Sequence, residues 1–194
     1  MKQLPQILIL MMLSFGSFAQ DKILPMDESG KYTFLEVAEL KAVPKSVMAA
    51  NARRFFKTNS KSLKLTAEEK DTLFSGKGKM IVQKGVAGIG HPSAEVNYAI
   101  SIALREGKYR LIMTNFVVTP YERDRYGNFV PVTVSTALEK SPGKLGRTEW
   151  EANMAFVFTE SGKIADRLKI MMSNTLAEPK TEQKKPATVS TTKW

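Results

Sequence analysis

The chain has 194 residues, 29 Lys and Arg against 19 Asp and Glu, a formal net charge of +10, one histidine and no cysteine. With 43% hydrophobic residues, a chain of this length can bury a core without covalent staples. Without cysteine there is no disulfide, thiol nucleophile or thiolate metal centre, and a lone histidine excludes any site that needs two.

At the N-terminus, Lys2 precedes an apolar run from Ile7 to Leu13 that extends to Phe18, and Ser17 and Ala19 then supply a small-x-small pair. That order of charge, apolar run and cleavage site predicts a signal peptide over residues 1–19. The run is short of the roughly 20 residues that a transmembrane helix needs. Cleavage after Ala19 leaves Gln20 first, with no cysteine for a lipid anchor. The expectation is export to the periplasm or extracellular space of a Gram-negative bacterium, with no transmembrane segment in the mature chain. Residues 20–174 read as a single α+β domain. Residues 175–194, rich in Thr, Lys and Pro, read as a disordered tail ending in Trp194. The basic residues are dispersed, with no block of five or six like charges, so they favour anionic surfaces only in general terms.

Gly30 to Leu40 predicts a first strand from Tyr32, Phe34, Leu35 and Val37, and apolar residues on both of its faces suggest a central place. Pro44 suits a first helical turn. Met48, Ala52, Phe55, Phe56 and Asn59 follow helical spacing, so a helix is expected over 44–59, with Lys45, Arg53, Arg54 and Lys57 facing solvent. Thr66-Ala67-Glu68-Glu69 matches a capping box, which allows a short helix over 67–74, with a loop as the alternative. Ser75 to Gly78 reads as a turn, and Lys79 to Lys84 as a second strand.

The clearest pattern follows. Val96, Tyr98, Ile100, Ile102 and Leu104 alternate with polar or small residues, and Tyr109, Leu111, Met113 and Val117 do the same after a Glu106-Gly107 turn. A two-residue loop pairs Arg105 with Lys108, Leu104 with Tyr109, Ile102 with Leu111, Ile100 with Met113 and Val96 with Val117. Both apolar faces then fall on the same side.

Residues 120–147 are polar and turn-rich, and read as a long loop or irregular insertion. Val130, Val132 and Val134 allow a short strand that Pro131 confines to an edge. Trp150, Met154, Val157, Ser161, Ile164, Leu168 and Met171 predict an amphipathic helix over 149–173 capped by Thr148, with a break near Ser161-Gly162 as the alternative.

Leu24 to Val37, the helix after it, Ile81-Val82-Gln83-Lys84-Gly85 and the turn Gly107-Lys108-Tyr109-Arg110 resemble an exported bacterial family described as a domain of unknown function with a TBP-like fold. The resemblance spans about residues 24–119. It implies a curved antiparallel sheet with helices packed on one face, in agreement with the order of elements above. It carries no established catalytic residue.

The candidate chemistry is thin. His91 sits in a Gly90-His91-Pro92 turn without cysteine or clustered acids. Gly85-Val86-Ala87-Gly88-Ile89-Gly90 lacks the strand–turn–helix frame and glycine spacing of a dinucleotide cradle. Ser141 and Lys144 have S-x-x-K spacing, but Pro142-Gly143 between them makes a turn where that chemistry needs a helix. Glu149 and Glu151 are two apart on a helix and point apart. Glu68, Glu69 and Asp71 read as charge at a helix N-terminus. No catalytic residue, metal ligand or cofactor site is assigned.

Tyr121, Arg123, Arg125 and Tyr126 are the partner-binding candidates, because Arg and Tyr on a loop offer stacking and charge-assisted contacts. The functional expectation is a non-catalytic exported envelope protein that binds a protein or glycan partner. The alternatives are a nucleic-acid or anionic-surface binding module, with nucleic acid the less favoured because export removes the usual DNA targets, and a hydrolase-type enzyme without His or Cys chemistry.

Overall fold

In the computed structural model, which describes residues 23–86, 89–140, 142–143 and 146–175, four long antiparallel pairings build one curved sheet. The elements are β1 (Phe34–Glu39), α1 (Lys45–Thr58), β2 (Leu63–Glu69), β3 (Leu73–Val86), β4 (Ile89–Arg105), β5 (Lys108–Arg123), β6 (Phe129–Pro131), β7 (Thr136–Ala137) and α2 (Arg147–Met172). The main order is β1-β5-β4-β3-β2, with β6 and β7 pairing along the far half of β5. Both helices pack on the same face. Their buried residues, Met48, Ala52, Phe55 and Phe56 from α1 and Met154, Val157, Ile164 and Leu168 from α2, meet Phe74, Val96, Tyr98, Ile100, Ile102, Leu104, Tyr109 and Leu111 of the sheet. At about 1.5–3 kcal/mol for each large side chain removed from water, this layer holds the fold.

The β4–β5 hairpin follows the predicted register from Arg105↔Lys108 to Ile100↔Met113 and then departs from it. A bulge gives β5 one extra residue, so Val96 pairs with Val118 and not with Val117. Asn115 absorbs the insertion at φ 55°, a left-handed conformation that Asn tolerates better than most residues. Beyond it the alternation is reversed: Phe116 and Val118 are buried, while Val117 turns to the other face.

Other expectations fail for physical reasons. β1 is shorter than 30–40 and lies at a sheet edge, and only one of its faces meets the helices, so Ala38 is buried while the apolar Leu35 and Val37 are 56% and 57% exposed. Residues 67–74 form no helix: Leu63 and Leu65 alternate as β2, and Thr66 spends its hydroxyl on the Ser75 carbonyl. A tight turn follows, with Lys70 and Asp71 at φ 42° and 56° and the Thr72 amide donating to the Glu69 carbonyl. Ser75 to Gly78 is the middle of β3, not a turn. Its glycines make room: a Cβ on Gly76 would lie 2.4 Å from Phe56 Cε1, and one on Gly78 2.2 Å from Tyr98 Cζ.

α1 confirms the predicted helix, with Pro44 at its N-cap. Arg53 does not simply face solvent. It donates to Glu68 of β2 and to Asp71 in the following turn, tying α1 to the β2–β3 hairpin. Glu68 and Asp71 therefore serve this ion pair and cap no helix. α2 runs unbroken through Ser161-Gly162. It starts at Arg147 with Gly146 as N-cap, so Thr148 lies inside it, and Trp150 Nε1 anchors the first turn on the Leu138 carbonyl at 2.8 Å. At the other end Asn51 Nδ2 donates to the Asn174 carbonyl at 2.8 Å. The short strand near Val130 forms as β6, and Pro131 stands where the expectation placed it, on an edge. The expected signal peptide and tail lie outside the described residues.

Candidate functional site

Side chains alternate across a strand, so burying one face fixes what the other shows. The helices leave the second face bare. Register places Leu35 and Val37 of β1 beside Ile112 and Arg110 of β5, then Ser101 and Ala103 of β4, then Ser75 and Leu73 of β3. One row further, Thr114, Ala99, Lys77 and Lys64 follow from β5 to β2. The central strand β4 thus presents only Ala99, Ser101 and Ala103, which stand low and lose little side-chain entropy on contact, with Ile112 of β5 beside them. Around it sit Lys64, Lys77, Arg105, Lys108 and Arg110. None of these five makes an ion pair or side-chain hydrogen bond among the described residues. At the end nearest Arg105, Lys108 and Arg110, a hollow of about 600 Å³ opens beside Val37, Leu73 and Ala103.

The opposite end carries the sequence-predicted residues. Past the bulge, β5 turns Tyr121 and Arg123 toward the bare face, and Tyr121 donates its hydroxyl to Glu95 Oε2 at 3.1 Å. Partial burial, and then that bond, push the Tyr121 hydroxyl above the ordinary tyrosine range. The Arg123 guanidinium lies 5.3 Å from the Phe129 ring centre, and His91 stacks on the same ring at 4.4 Å and 8°. Arg125 lies 4.8 Å from the Tyr126 ring centre at the tip of the β5–β6 turn. Asp124 shapes that turn: its carboxylate accepts from the backbone amides of Tyr126 and Asn128, both at 2.8 Å. Those bonds, that of Asn128 foremost, hold Asp124 below the usual carboxylate range. The four predicted residues therefore lie on one hairpin. Tyr121 and Arg123 border the bare face, and Arg125 and Tyr126 extend beyond it. Sequence reasoning missed Phe129, and it missed the five cations because only the pairing of distant strands gathers them.

The remaining candidates separate. His91 is on strand β4 opposite Lys84, not in a turn. Gly85 pairs with Gly90 in the β3–β4 hairpin, so the glycine-rich stretch joins two strands, and Ala87 and Gly88 lie outside the described residues. Ser141 and Lys144 also lie outside them. Glu149 pairs with Lys84 at 3.2 Å and Glu151 with Arg147 at 2.9 Å, so they face different partners. Among the described residues no group of three or more acids and histidine is placed to hold a metal ion, and no helix is long and apolar enough to cross a membrane.

Residues 34–119, from β1 through most of β5, match a family model described as a domain of unknown function (DUF4468) with TBP-like fold. That is the family the sequence resembles. Two crystal structures share the fold of the chain. A DUF4468 family protein from Bacteroides ovatus is 12% identical with a TM-score of 0.56, covering 81% of this chain and 94% of its own. A TBP-like protein from Parabacteroides distasonis is also 12% identical with a TM-score of 0.58, covering 78% of this chain and 98% of its own. Among curated proteins none matches. The DUF4468 match ends just before Tyr121, so the aromatic and arginine hairpin lies beyond it, while the five cations fall within it.

Proposed function

We propose that the chain is a non-catalytic exported protein of the bacterial envelope, and that its bare sheet face, continued by the Tyr121–Tyr126 hairpin, binds a protein or glycan partner. The observation that carries this reading is the bare face itself: low side chains in the middle, five unpartnered cations around them, and stacked aromatic and arginine groups at one end. The sheet backbone and the short Ala, Ser and Thr side chains lose little entropy when a partner covers them. Arg and aromatic groups are the side chains that most often anchor such contacts. The charge pattern at the N-terminus supports export.

The test is gentle co-purification from native envelopes of the intact chain and of an Arg110→Glu, Lys77→Glu, Arg123→Glu variant. A partner recovered with the intact chain and lost with the variant is the expected result. Recovery of both as the same free monomer overturns the reading. The same five cations favour a second reading, in which the face meets an anionic surface. Retention on heparin at low salt that weakens steeply as salt rises supports it, and a flat salt response removes it.

A further inference from the structure

We infer that the outer edge of β3, from Lys79 to Gly85, is a separate docking site that takes an extended acidic segment of another protein as an added strand. β2 covers only the first part of β3. Its pairing ends at Leu63↔Gly78, and the last bond on that side runs from the Lys79 amide to the Ser62 carbonyl at 2.8 Å. From there β3 continues to Val86 with β4 as its only strand neighbour among the described residues.

Backbone groups of alternate residues in an antiparallel strand point to the same side. Ile81 and Gln83 therefore share the outward side of Lys79. Val82 confirms the phase, because its carbonyl faces β4 and accepts from Ser93 Oγ at 3.3 Å. The irregularity here belongs to β4, where Val82↔Ala94 is followed by Gln83↔Pro92, so β3 keeps its alternation. The amides and carbonyls of Ile81 and Gln83 make no hydrogen bond with a described residue on the outward side. Such a row is a template for strand addition.

Beside this edge lies a groove of about 330 Å³. Met80 and Tyr98 floor it, and Phe55, Leu63, Phe156 and Ile164 form its walls. One side chain of an added strand would enter there, since every second residue points to the helix side. The charge of the occupant follows from its neighbours. Glu160 is held by Lys163 at 2.6 Å, and Glu95 by Lys79 at 3.8 Å. Arg167, exposed at the groove, has no ion-pair or hydrogen-bond partner among the described residues. The charge left over is positive, which selects an acidic segment.

The test titrates the full chain with three labelled octapeptides in which every second residue is threonine, so that the residues between them share one face: valine and glutamate in turn at those positions, valine and lysine in turn, and the acidic peptide N-methylated at alternate residues. The acidic peptide is expected to bind at least tenfold more tightly than either other peptide and to slow amide exchange at Ile81 and Gln83. Gln83→Pro removes an outward amide without touching the β4 ladder, as edge positions allow, and should weaken binding at least tenfold. Arg167→Glu should reverse the charge preference. Equal affinity for the three peptides, or unchanged exchange at Ile81 and Gln83, overturns the proposal even if Gln83→Pro fails to fold. So does protection of those amides without peptide, whether it grows with concentration, as for a second copy, or disappears on removal of residues 176–194, as for the chain's own tail.

Discussion

The two faces of the sheet are made by the same strands, often by adjacent residues, yet they obey different rules. Ile102 is fully buried under the helices, while its neighbours Ser101 and Ala103 lie on the face that no helix covers. The buried face is specified by volume: each side chain fills a space that the others leave. The bare face is specified by what it omits, because its central strand β4 carries only small side chains from Ala99 to Ala103 and none of its five cations is held in an ion pair among the described residues, although Glu39 lies opposite Lys108 and Glu69 lines the same hollow. Stability belongs to the first face. The proposed binding belongs to the second.

The sharpest way to break this comparison is to shorten two neighbours. Ile102→Ala should lower unfolding stability by about 2–5 kcal/mol, while Ser101→Ala should change it by less than about 0.5 kcal/mol, both measured by denaturant unfolding. Similar losses from both would show that the bare face carries structure as well. Next in size, Gly78→Val should cost about 1–3 kcal/mol, because its side chain has to displace the buried Tyr98 ring, and a smaller substitute at Tyr98 should recover part of the loss. An unaffected melting temperature would mean that β3 and the ring can part without strain.

The buried face also holds two groups that should be dispensable. Tyr109 is 1% exposed, and its hydroxyl, like Ser161 Oγ, is buried without a hydrogen-bond partner among the described residues. Burial first, and then the charges of Glu36 and Asp166, push the Tyr109 hydroxyl far above the ordinary tyrosine range, so it stays protonated. Tyr109→Phe should stabilise the fold by about 1 kcal/mol, by removing a polar group that burial leaves unpaired. A loss of stability instead would reveal an ordered water on that hydroxyl.

The smallest expected effect is local and lies at the border of the bare face, where Thr33 links Asp27 to Thr114. Asp27 accepts from the Ser29 hydroxyl and from the amides of Ser29 and Lys31, which, led by the Ser29 hydroxyl, lower its pKa to about 2. Because the folded value lies below the unfolded one, the stabilisation is fully present above about pH 4 and is lost as pH falls through the folded value. Nuclear magnetic resonance titration should show the Asp27 carboxyl shift near pH 2, with faster exchange of the Ser29 and Lys31 amides below it. An ordinary carboxylate midpoint would remove the effect.

What could be read from the residues follows the same division. The hairpin from Val96 to Met113 was legible because one-sided burial writes a period of two directly into the sequence. α1 and α2 were legible for the equivalent reason at helical spacing. The bare face left no such trace. Its Lys64, Lys77 and Arg110 come together only through the pairing of β2, β3, β4 and β5, which no local window contains. Two local signals were also overruled by tertiary context. Gly76 and Gly78 looked like a turn, and they are the places where Phe56 and Tyr98 press against a strand. Thr66 and Glu69 looked like a capping box, and they belong to β2. Tyr121 and Arg123 were found by composition, but the side of the sheet they occupy was not, because a bulge sets it.

That bulge makes the length of β5 matter in a way its composition does not. The single extra residue near Asn115 works like an inserted letter that shifts the reading of every position after it. Deleting Asn115 would leave the chain almost identical, yet the parity rule would then send Val117, Thr119, Tyr121 and Arg123 toward the helices and turn Phe116 and Val118 out to water. A relative in which this position is missing would present a different surface with nearly the same residues. For β5, counting residues between landmarks therefore says more about which side chains are displayed than comparing their identities.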